Sequence, residues 1–144
     1  MFIARVTAIT DEIVVAFERL IPQLKLGSPP PTREELELLI SSDSCVLLAV
    51  RYPDQSAEIA GALTLIVYHV PTGIRARVED VVVDESMRGK GIGEALVRHA
   101  LKIARDAGAD GVALTSNPKR EAANRLYQRL GFKFWETNIY FYKF

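Results

Sequence analysis

The sequence predicts a mixed α/β domain in which helices cover a largely antiparallel sheet. Three observations lead to this prediction. Two amphipathic helix patterns precede three consecutive strand patterns, a glycine-rich loop joins the last of those strands to a long helix pattern, and shorter strand and helix patterns follow. At 144 residues the chain is long enough to bury a core, and no repeat or linker divides it. We therefore expect one domain spanning residues 1–144.

The first half of the chain contains a strand and two helices before the main strands. Residues 2–6 predict an edge strand, and residues 11–20 have apolar side chains at helical spacing behind Thr10, a suitable N-cap. Thr32 and Glu35 form a capping box that starts a second, short helix. Three strand patterns follow between turn residues, at 45–51, 58–68 and 75–83.

The second half alternates between helix and strand. A long helix pattern at 94–107 ends at Gly108, and residues 111–114 predict a short apolar strand. Asn117 and Pro118 are expected to cap and open a last helix that runs to Leu130. Two closing strands are predicted at 132–136 and 139–144, where apolar and aromatic residues are frequent.

Composition excludes several functional classes. The 18 basic and 18 acidic side chains give no uncompensated charge, which argues against a general nucleic-acid binder or a protein that binds anionic membranes. The single Cys45 cannot form an internal disulfide, and no Cys/His/carboxylate spacing suggests a metal site. The charged N-terminal dozen residues resemble neither a signal peptide nor a membrane span, so a cytoplasmic location is expected.

The most informative segment is the loop at residues 87–93, Met-Arg-Gly-Lys-Gly-Ile-Gly, between a strand and a helix. Free backbone N–H groups and the helix dipole together bind anions there, which predicts a phosphate-bearing cofactor. Two common nucleotide motifs do not fit. The dinucleotide fingerprint would place Glu94 or Leu96 at its third glycine, and the phosphate loop of nucleotidases fails because Gly91 follows Lys90.

Arg88, Gly91 and Gly93 instead fit Arg-x-x-Gly-x-Gly, which resembles the acyl-CoA pyrophosphate loop of the GNAT superfamily of N-acetyltransferases. A second block at residues 124–132, Asn-Arg-Leu-Tyr-Gln-Arg-Leu-Gly-Phe, is similar to the family segment in which a helix ends at Gly-Phe. The resemblance implies acetyl-CoA as cofactor. It also implies a mixed, mostly antiparallel sheet of about six or seven strands, splayed between the fourth and fifth and flanked by about four helices.

The resemblance also implies where the cofactor binds. Main-chain N–H groups of Val81, Val82 and Val83 would hold the pantetheine arm, and one would donate to the thioester oxygen. From the sequence alone, these valines are equally explained as a buried strand. The loop and the last helix supply the other expected contacts, at Arg88, Gly89, Lys90, Gly91, Ile92, Gly93, Asn117, Asn124 and Tyr127.

Candidate catalytic groups follow from the needs of acetyl transfer to an amine. In similar proteins the tyrosine at the position of Tyr127 lies against the cofactor sulfur and acts as general acid; a core tyrosine is the alternative interpretation. A base must take a proton because a free alkyl amine has a pKa near ~10.4. Glu79 is preferred to Asp80, since adjacent strand residues point to opposite faces unless a bulge intervenes. An ion pair of Glu79 with Arg75 or Arg77 is the other interpretation.

The run preceding the loop also resembles glucosamine-phosphate N-acetyltransferases, but Thr115 stands where those enzymes carry an acidic residue. The sequence therefore predicts acetyl transfer from acetyl-CoA to a primary amine of an unidentified small molecule, with Glu79, Asp80 and Thr115 near the substrate. A protein or peptide acetyltransferase and a non-catalytic acyl-CoA-binding module are the alternatives. A homodimer through the aromatic C-terminal strands is a further expectation.

Overall fold

A computed structural model describes residues 1–144, which form one five-stranded sheet flanked by four α-helices. The elements in chain order are β1 (Phe2–Arg5), α1 (Asp11–Leu24), α2 (Arg33–Ser41), β2 (Cys45–Arg51), β3 (Ile59–Val70), β4 (Gly73–Val83), a 3-10 turn (Glu85–Met87), α3 (Ile92–Asp106), β5 (Val112–Ala113) and α4 (Glu121–Arg129). The strands lie in the order β1-β2-β3-β4-β5, antiparallel except for the parallel pair β4 and β5. The predicted α/β class is confirmed.

The sheet has an apolar core on each face because its strands alternate. On β2, Val46, Leu48 and Val50 face the core under α3, whereas Leu47 faces the core under α1 and α2. Burying both faces of the central strands orients α3 and α1 on opposite sides of β4. The end of β4 is thus held between two helices.

Two of the three helix starts predicted from capping residues are confirmed. The Thr10 hydroxyl accepts a hydrogen bond from the N–H of Ile13, and Thr32 and Glu35 make the full reciprocal capping box. Helix α1 extends four residues beyond the predicted end, to Leu24, although it contains Pro22. This extension carries its last turn toward the loop that precedes α4.

Strand β4 contains a bulge near its end. The pairing with β3 shifts between Ala62 and Thr64, which lie opposite Val82 and Glu79, and Asp80 has a positive φ of 50°. An extra residue at such a bulge turns side chains that would otherwise lie on opposite faces. The side chains of Glu79 and Asp80 therefore do not point to opposite faces of the sheet, as they would in a regular strand.

The predicted splay between the fourth and fifth strands is present. Strands β4 and β5 pair only at Ala76 with Val112 and at Arg77 with Ala113. Beyond Arg77, β4 continues to Val83 without a partner on that side. The resulting opening leaves main-chain N–H and C=O groups of β4 unpaired, whereas in a closed sheet they would bond to the neighbouring strand.

The predicted closing strands at 132–136 and 139–144 are wrong for this structure. These residues form no strand, and Trp135 is 84% exposed. Their alternating apolar residues indicate strand propensity, but β5 has only two residues and offers little edge to extend. The sheet consequently has five strands rather than six or seven, and the dimer expected through this segment stays a prediction.

The last helix begins later than predicted, at Glu121 instead of Pro118. The side-chain oxygen of Asn117 accepts a hydrogen bond from the N–H of Lys119 at 2.9 Å, which forms a turn rather than a helix cap. Residues 117–120 therefore make a loop that faces the splay.

Candidate active site

The glycine-rich loop presents unpaired main-chain donors. Gly89 and Gly91 adopt left-handed backbone conformations with φ of 79° and 75°, and the N–H groups of residues 89–91 donate to no protein acceptor. Gly91 is also the N-cap of α3 and supplies no side-chain cap, so the first-turn amides of that helix are free as well. Such a row of amides at a helix N-terminus is an anion site.

The two cations of the loop behave differently. Arg88 lines the cavity beside the loop and lies 3.4 Å from the Glu85 carboxylate. The ammonium of Lys90 lies over the ring of Tyr52, 5.2 Å from its centroid, and Lys90 does not line that cavity. Lys90 can therefore contribute its main-chain N–H, while Arg88 can contribute its side chain.

A buried carboxylate anchors the base of the loop. Asp84 is only 5% exposed; it accepts hydrogen bonds from the Ser86 hydroxyl at 2.6 Å and the Ser86 N–H at 3.0 Å, and it forms an ion pair with Arg19 of α1. The Ser86 hydroxyl, helped by the Ser86 N–H and Arg19, holds the pKa of Asp84 below its usual range. This anchor was not predicted, although Asp84 and Ser86 form an Asp-x-Ser pattern that is typical of such a turn.

A cavity of about 980 Å³ runs from the loop to α4. Val81, Val82 and Val83 form one wall, and the opposite side is lined by Lys119, Arg129 and the ion pair of Arg125 with Glu121. This volume lies at the upper end of the range for cofactor sites. The free amides and the basic side chains suit an extended cofactor that carries a diphosphate. Coenzyme A is such a cofactor. We name this space the cofactor cavity.

Main-chain amides of β4 open into the splay. The N–H of Asp84 donates to the Ala60 carbonyl on β3 at 2.9 Å. Because N–H directions alternate along a strand, the amide of Val82 also faces β3, whereas those of Val81 and Val83 face the opening. Val81 and Val83 can thus donate to a bound group, and Val82 contributes only to the cavity wall.

Tyr127 lies on α4 at the inner end of the cofactor cavity. Its ring packs edge-on against Phe132, with centroids 5.8 Å apart. Burial raises the pKa of Tyr127, partly offset by the positive charge of Arg120. The hydroxyl therefore keeps its proton at neutral pH and can donate it.

Asn117 and Asn124 hold a loop and do not line the cofactor cavity. The Asn124 amide donates to the carbonyls of Asn117 at 2.9 Å and of Arg120 at 3.0 Å. Asn117 lines a neighbouring cavity instead. The structure gives Asn124 a role in shaping the loop that positions Arg120.

That neighbouring cavity, of about 300 Å³, lies in the splay, and we name it the acceptor cavity. The bulge brings both Glu79 and Asp80 to its wall, where the sequence reasoning expected only one. Glu79 is half-buried and its carboxylate lies 3.0 Å from Nε of Arg77, so the expected ion pair exists within the site. Thr115, which was expected near the substrate, lines the cavity, and Ser116 and Lys25 also line it.

The two cavities meet. Four residues line both of them: Leu24, Val81, Arg120 and Tyr127. An amide donor and a protonated phenol therefore stand between a space with carboxylates and a space with phosphate-binding amides. This arrangement can bring an acyl donor and an acceptor together at one point.

The fold and the site together define a class. Residues 10–132 match the model of the acetyltransferase (GNAT) family, and the chain belongs to that family. The family generally uses acetyl-CoA. This confirms the resemblance seen in the sequence.

Two acetyltransferases are similar to this chain over part of its length. A mycothiol acetyltransferase from Nocardiopsis dassonvillei is 44% identical over 59 residues, covering 41% of this chain and 18% of the relative. A glucosamine 6-phosphate N-acetyltransferase from Trypanosoma brucei brucei is 37% identical over 87 residues, covering 58% of this chain and 57% of the relative. The matches therefore span less than two thirds of these relatives' own lengths.

The fold also resembles solved acetyltransferases. An aminoglycoside acetyltransferase from an uncultured soil metagenomic sample, crystallised with sisomicin, superposes with a TM-score of 0.81 at 20% identity, covering 99% of this chain and 95% of that one. At this identity the likeness establishes the fold. No helix in the chain combines the length and apolar character required to cross a bilayer.

Proposed function

We propose that the protein transfers an acetyl group from acetyl-CoA to a primary amine of a small molecule by direct attack. The observation that supports this most is the junction of the two cavities at Val81 and Tyr127. When bound, the cofactor supplies the acetyl group as a thioester. The names of the relatives agree with this proposal, because glucosamine 6-phosphate and mycothiol acetyltransferases modify small molecules.

The residues divide the proton and charge transfers between them. Glu79 accepts the proton of the amine, either directly or through a water, and Arg77 holds the carboxylate in place at 3.0 Å. The N–H groups of Val81 and Val83, which face the opening, would donate hydrogen bonds to the thioester carbonyl oxygen of the cofactor. Tyr127 donates its proton to the sulfur that leaves. The amine nitrogen would form a bond to the acetyl carbon as the carbon–sulfur bond breaks, and coenzyme A would leave as the thiol.

The size of the acceptor cavity favours a small molecule over a peptide. A space of about 300 Å³ is at the lower end of ligand sites and suits an acceptor the size of an amino acid or a single sugar. A peptide acceptor would require a longer groove across the sheet end.

Transfer is tested with labelled acetyl-CoA and a panel of small primary amines. We expect product with at least one amine, and we expect Tyr127→Phe to lower kcat by about tenfold to a hundredfold with little change in KM for acetyl-CoA. Equal rates for wild type and Tyr127→Phe at every pH would contradict the acid role. Tight binding of acetyl-CoA without any turnover would contradict the proposed activity.

A further inference from the structure

The charges that line the acceptor cavity are only partly compensated within the protein. Glu79 pairs with Arg77, but Asp80, Lys25 and Arg120 take part in no ion pair. The guanidinium of Arg120 donates instead to the Leu24 carbonyl. One carboxylate and two cations thus face the cavity without a charged partner.

These charges lie on different walls. Asp80 stands on the bulge of β4, whereas Lys25 follows the end of α1 and Arg120 is the N-cap of α4. The hydrogen bond from Arg120 to the carbonyl of Leu24 ties the two helix ends together and brings Lys25 and Arg120 to one side of the cavity. The site therefore has an acidic strand wall and a basic helix wall.

The backbone at Asp80 supports a ligand-binding role for its carboxylate. The bulge, at which Asp80 has a positive φ of 50°, brings this residue to the wall of the acceptor cavity beside Glu79. With no protein cation beside it, the carboxylate is available for an ammonium group. The two cations opposite are correspondingly available for an anion.

We propose that the acceptor is a small amine that also carries an anionic group, a carboxylate or a phosphate. Its ammonium lies at Asp80 and its anionic oxygens lie at Lys25 and Arg120. The charges without a protein partner, Asp80 on one wall and Lys25 with Arg120 on the other, match a ligand that bears both signs better than a simple cationic amine. This inference rests on the proposed function and names its substrate class.

Matched acceptors that differ only in the anionic group test the inference. The pairs are propylamine with β-alanine, ethanolamine with O-phosphoethanolamine, and glucosamine with glucosamine 6-phosphate. We expect the anionic member of at least one pair to have a kcat/KM about tenfold or more above its neutral partner. The first pair reports carboxylate recognition, and the other two report phosphate recognition.

Lys25→Gln isolates the basic wall because Lys25 does not line the cofactor cavity. It should reduce the advantage of the anionic member by about threefold to tenfold, through KM, while the kcat/KM of the neutral member changes by a smaller factor and KM for acetyl-CoA stays the same. Lys133→Gln, an exposed lysine outside both cavities, is the matched control and should change nothing. An equal loss for the neutral and anionic members would overturn the inference.

Binding measured without turnover separates this inference from the proposed function. Each amine is titrated by calorimetry into the protein loaded with coenzyme A, and the anionic member should bind about tenfold more tightly. Equal affinities across all three pairs would overturn the inference. Tighter binding of an anionic amine that is never acetylated would support the recognition and overturn the transfer.

Discussion

The cofactor cavity and the acceptor cavity are built from different parts of the chain. The anion-binding end of the cofactor cavity comes from one continuous segment, residues 81–93, and uses mainly backbone N–H groups. The acceptor cavity combines side chains from distant positions, among them Lys25, Glu79, Thr115 and Arg120. The first site depends on chain conformation, and the second depends on which side chains occupy a few positions.

This difference explains how one fold can keep a cofactor and change its acceptor. A backbone site survives substitution of most side chains around it, provided that the glycine conformations persist. A site made of side chains changes its ligand when a single charge changes. Thr115, which replaces the acidic residue expected by resemblance, lies on the acceptor wall and illustrates this freedom.

The largest expected effect lies in the acceptor cavity. Glu79→Gln removes the proposed base while retaining the size of the side chain, and kcat should fall about a hundredfold or more. Asp80→Asn is the matched variant on the adjacent position and should act mainly on KM for the amine. Steady-state kinetics of both variants with the best amine separate the roles, and the opposite pattern would exchange the two assignments.

The anchor beneath the loop gives the next effect. Asp84→Asn should lower the free energy of unfolding by about 2 kcal/mol at neutral pH, because it removes a buried charge partner of Arg19. Ser86 and Arg19 depress the pKa of Asp84 in the folded state below the unfolded value of 3.8. The stabilisation is therefore complete above that unfolded pKa and is lost as pH falls through the folded pKa.

Urea unfolding of wild type and Asp84→Asn across acidic to neutral pH measures this dependence. The difference between them should narrow as the solution is acidified. Asp11→Asn provides the control, since Asp11 also pairs with an arginine, Arg33, but its side chain is 98% exposed. That variant should change stability by less than about 1 kcal/mol. A constant difference for Asp84→Asn at all pH values would contradict the pKa assignment.

A substitution at Gly91 tests whether binding of coenzyme A depends on the backbone conformation of the loop. Gly91→Val places a branched side chain in a left-handed conformation at the start of α3, and the Kd for coenzyme A should rise about tenfold. Gly27→Val is a close control, because φ is 79° there against 75° at Gly91, and a Cβ would meet no atom within 4 Å at either position. Calorimetry with coenzyme A should separate the two variants; equal affinities would argue against the loop as the anion site.

The smallest effect is expected at Asn124. Asn124→Ala removes two hydrogen bonds to the loop before α4, at a cost of about 1 kcal/mol in stability. Because Asn124 does not line the cofactor cavity, the Kd for coenzyme A should change less than about twofold. A larger loss of affinity with unchanged stability would restore the direct cofactor contact that the resemblance implied.

Local features were predictable from the sequence, and features that depend on pairing were not. The Thr32 capping box and the turn at Gly91 depend on residues a few positions apart, so their patterns are visible in the sequence. The bulge at Asp80 depends on the register between β4 and β3, which no local pattern specifies. The ion pair of Arg19 with Asp84 joins residues 65 positions apart and was equally hidden.

The C-terminal segment shows the other limit. Alternation of apolar residues after Phe132 indicates that the segment can be a strand, but a strand also needs a neighbouring edge. The shortness of β5 could not be foreseen because Gly111 to Leu114 have an unbroken apolar pattern. The residues have the strand propensity expected from their sequence, but the predicted strands do not form because β5 offers too short an edge for pairing.

The last turn of α1 is a wall common to both cavities. Gln23 and Leu24 line the cofactor cavity, and Leu24 and Lys25 line the acceptor cavity. The Gln23 side chain also accepts a hydrogen bond from the N–H of Glu85 at 2.8 Å. A ligand that shifts this turn on one side changes the shape of the other side. If a bound ligand moves this turn, any effect that one ligand has on the affinity of the other must be reciprocal.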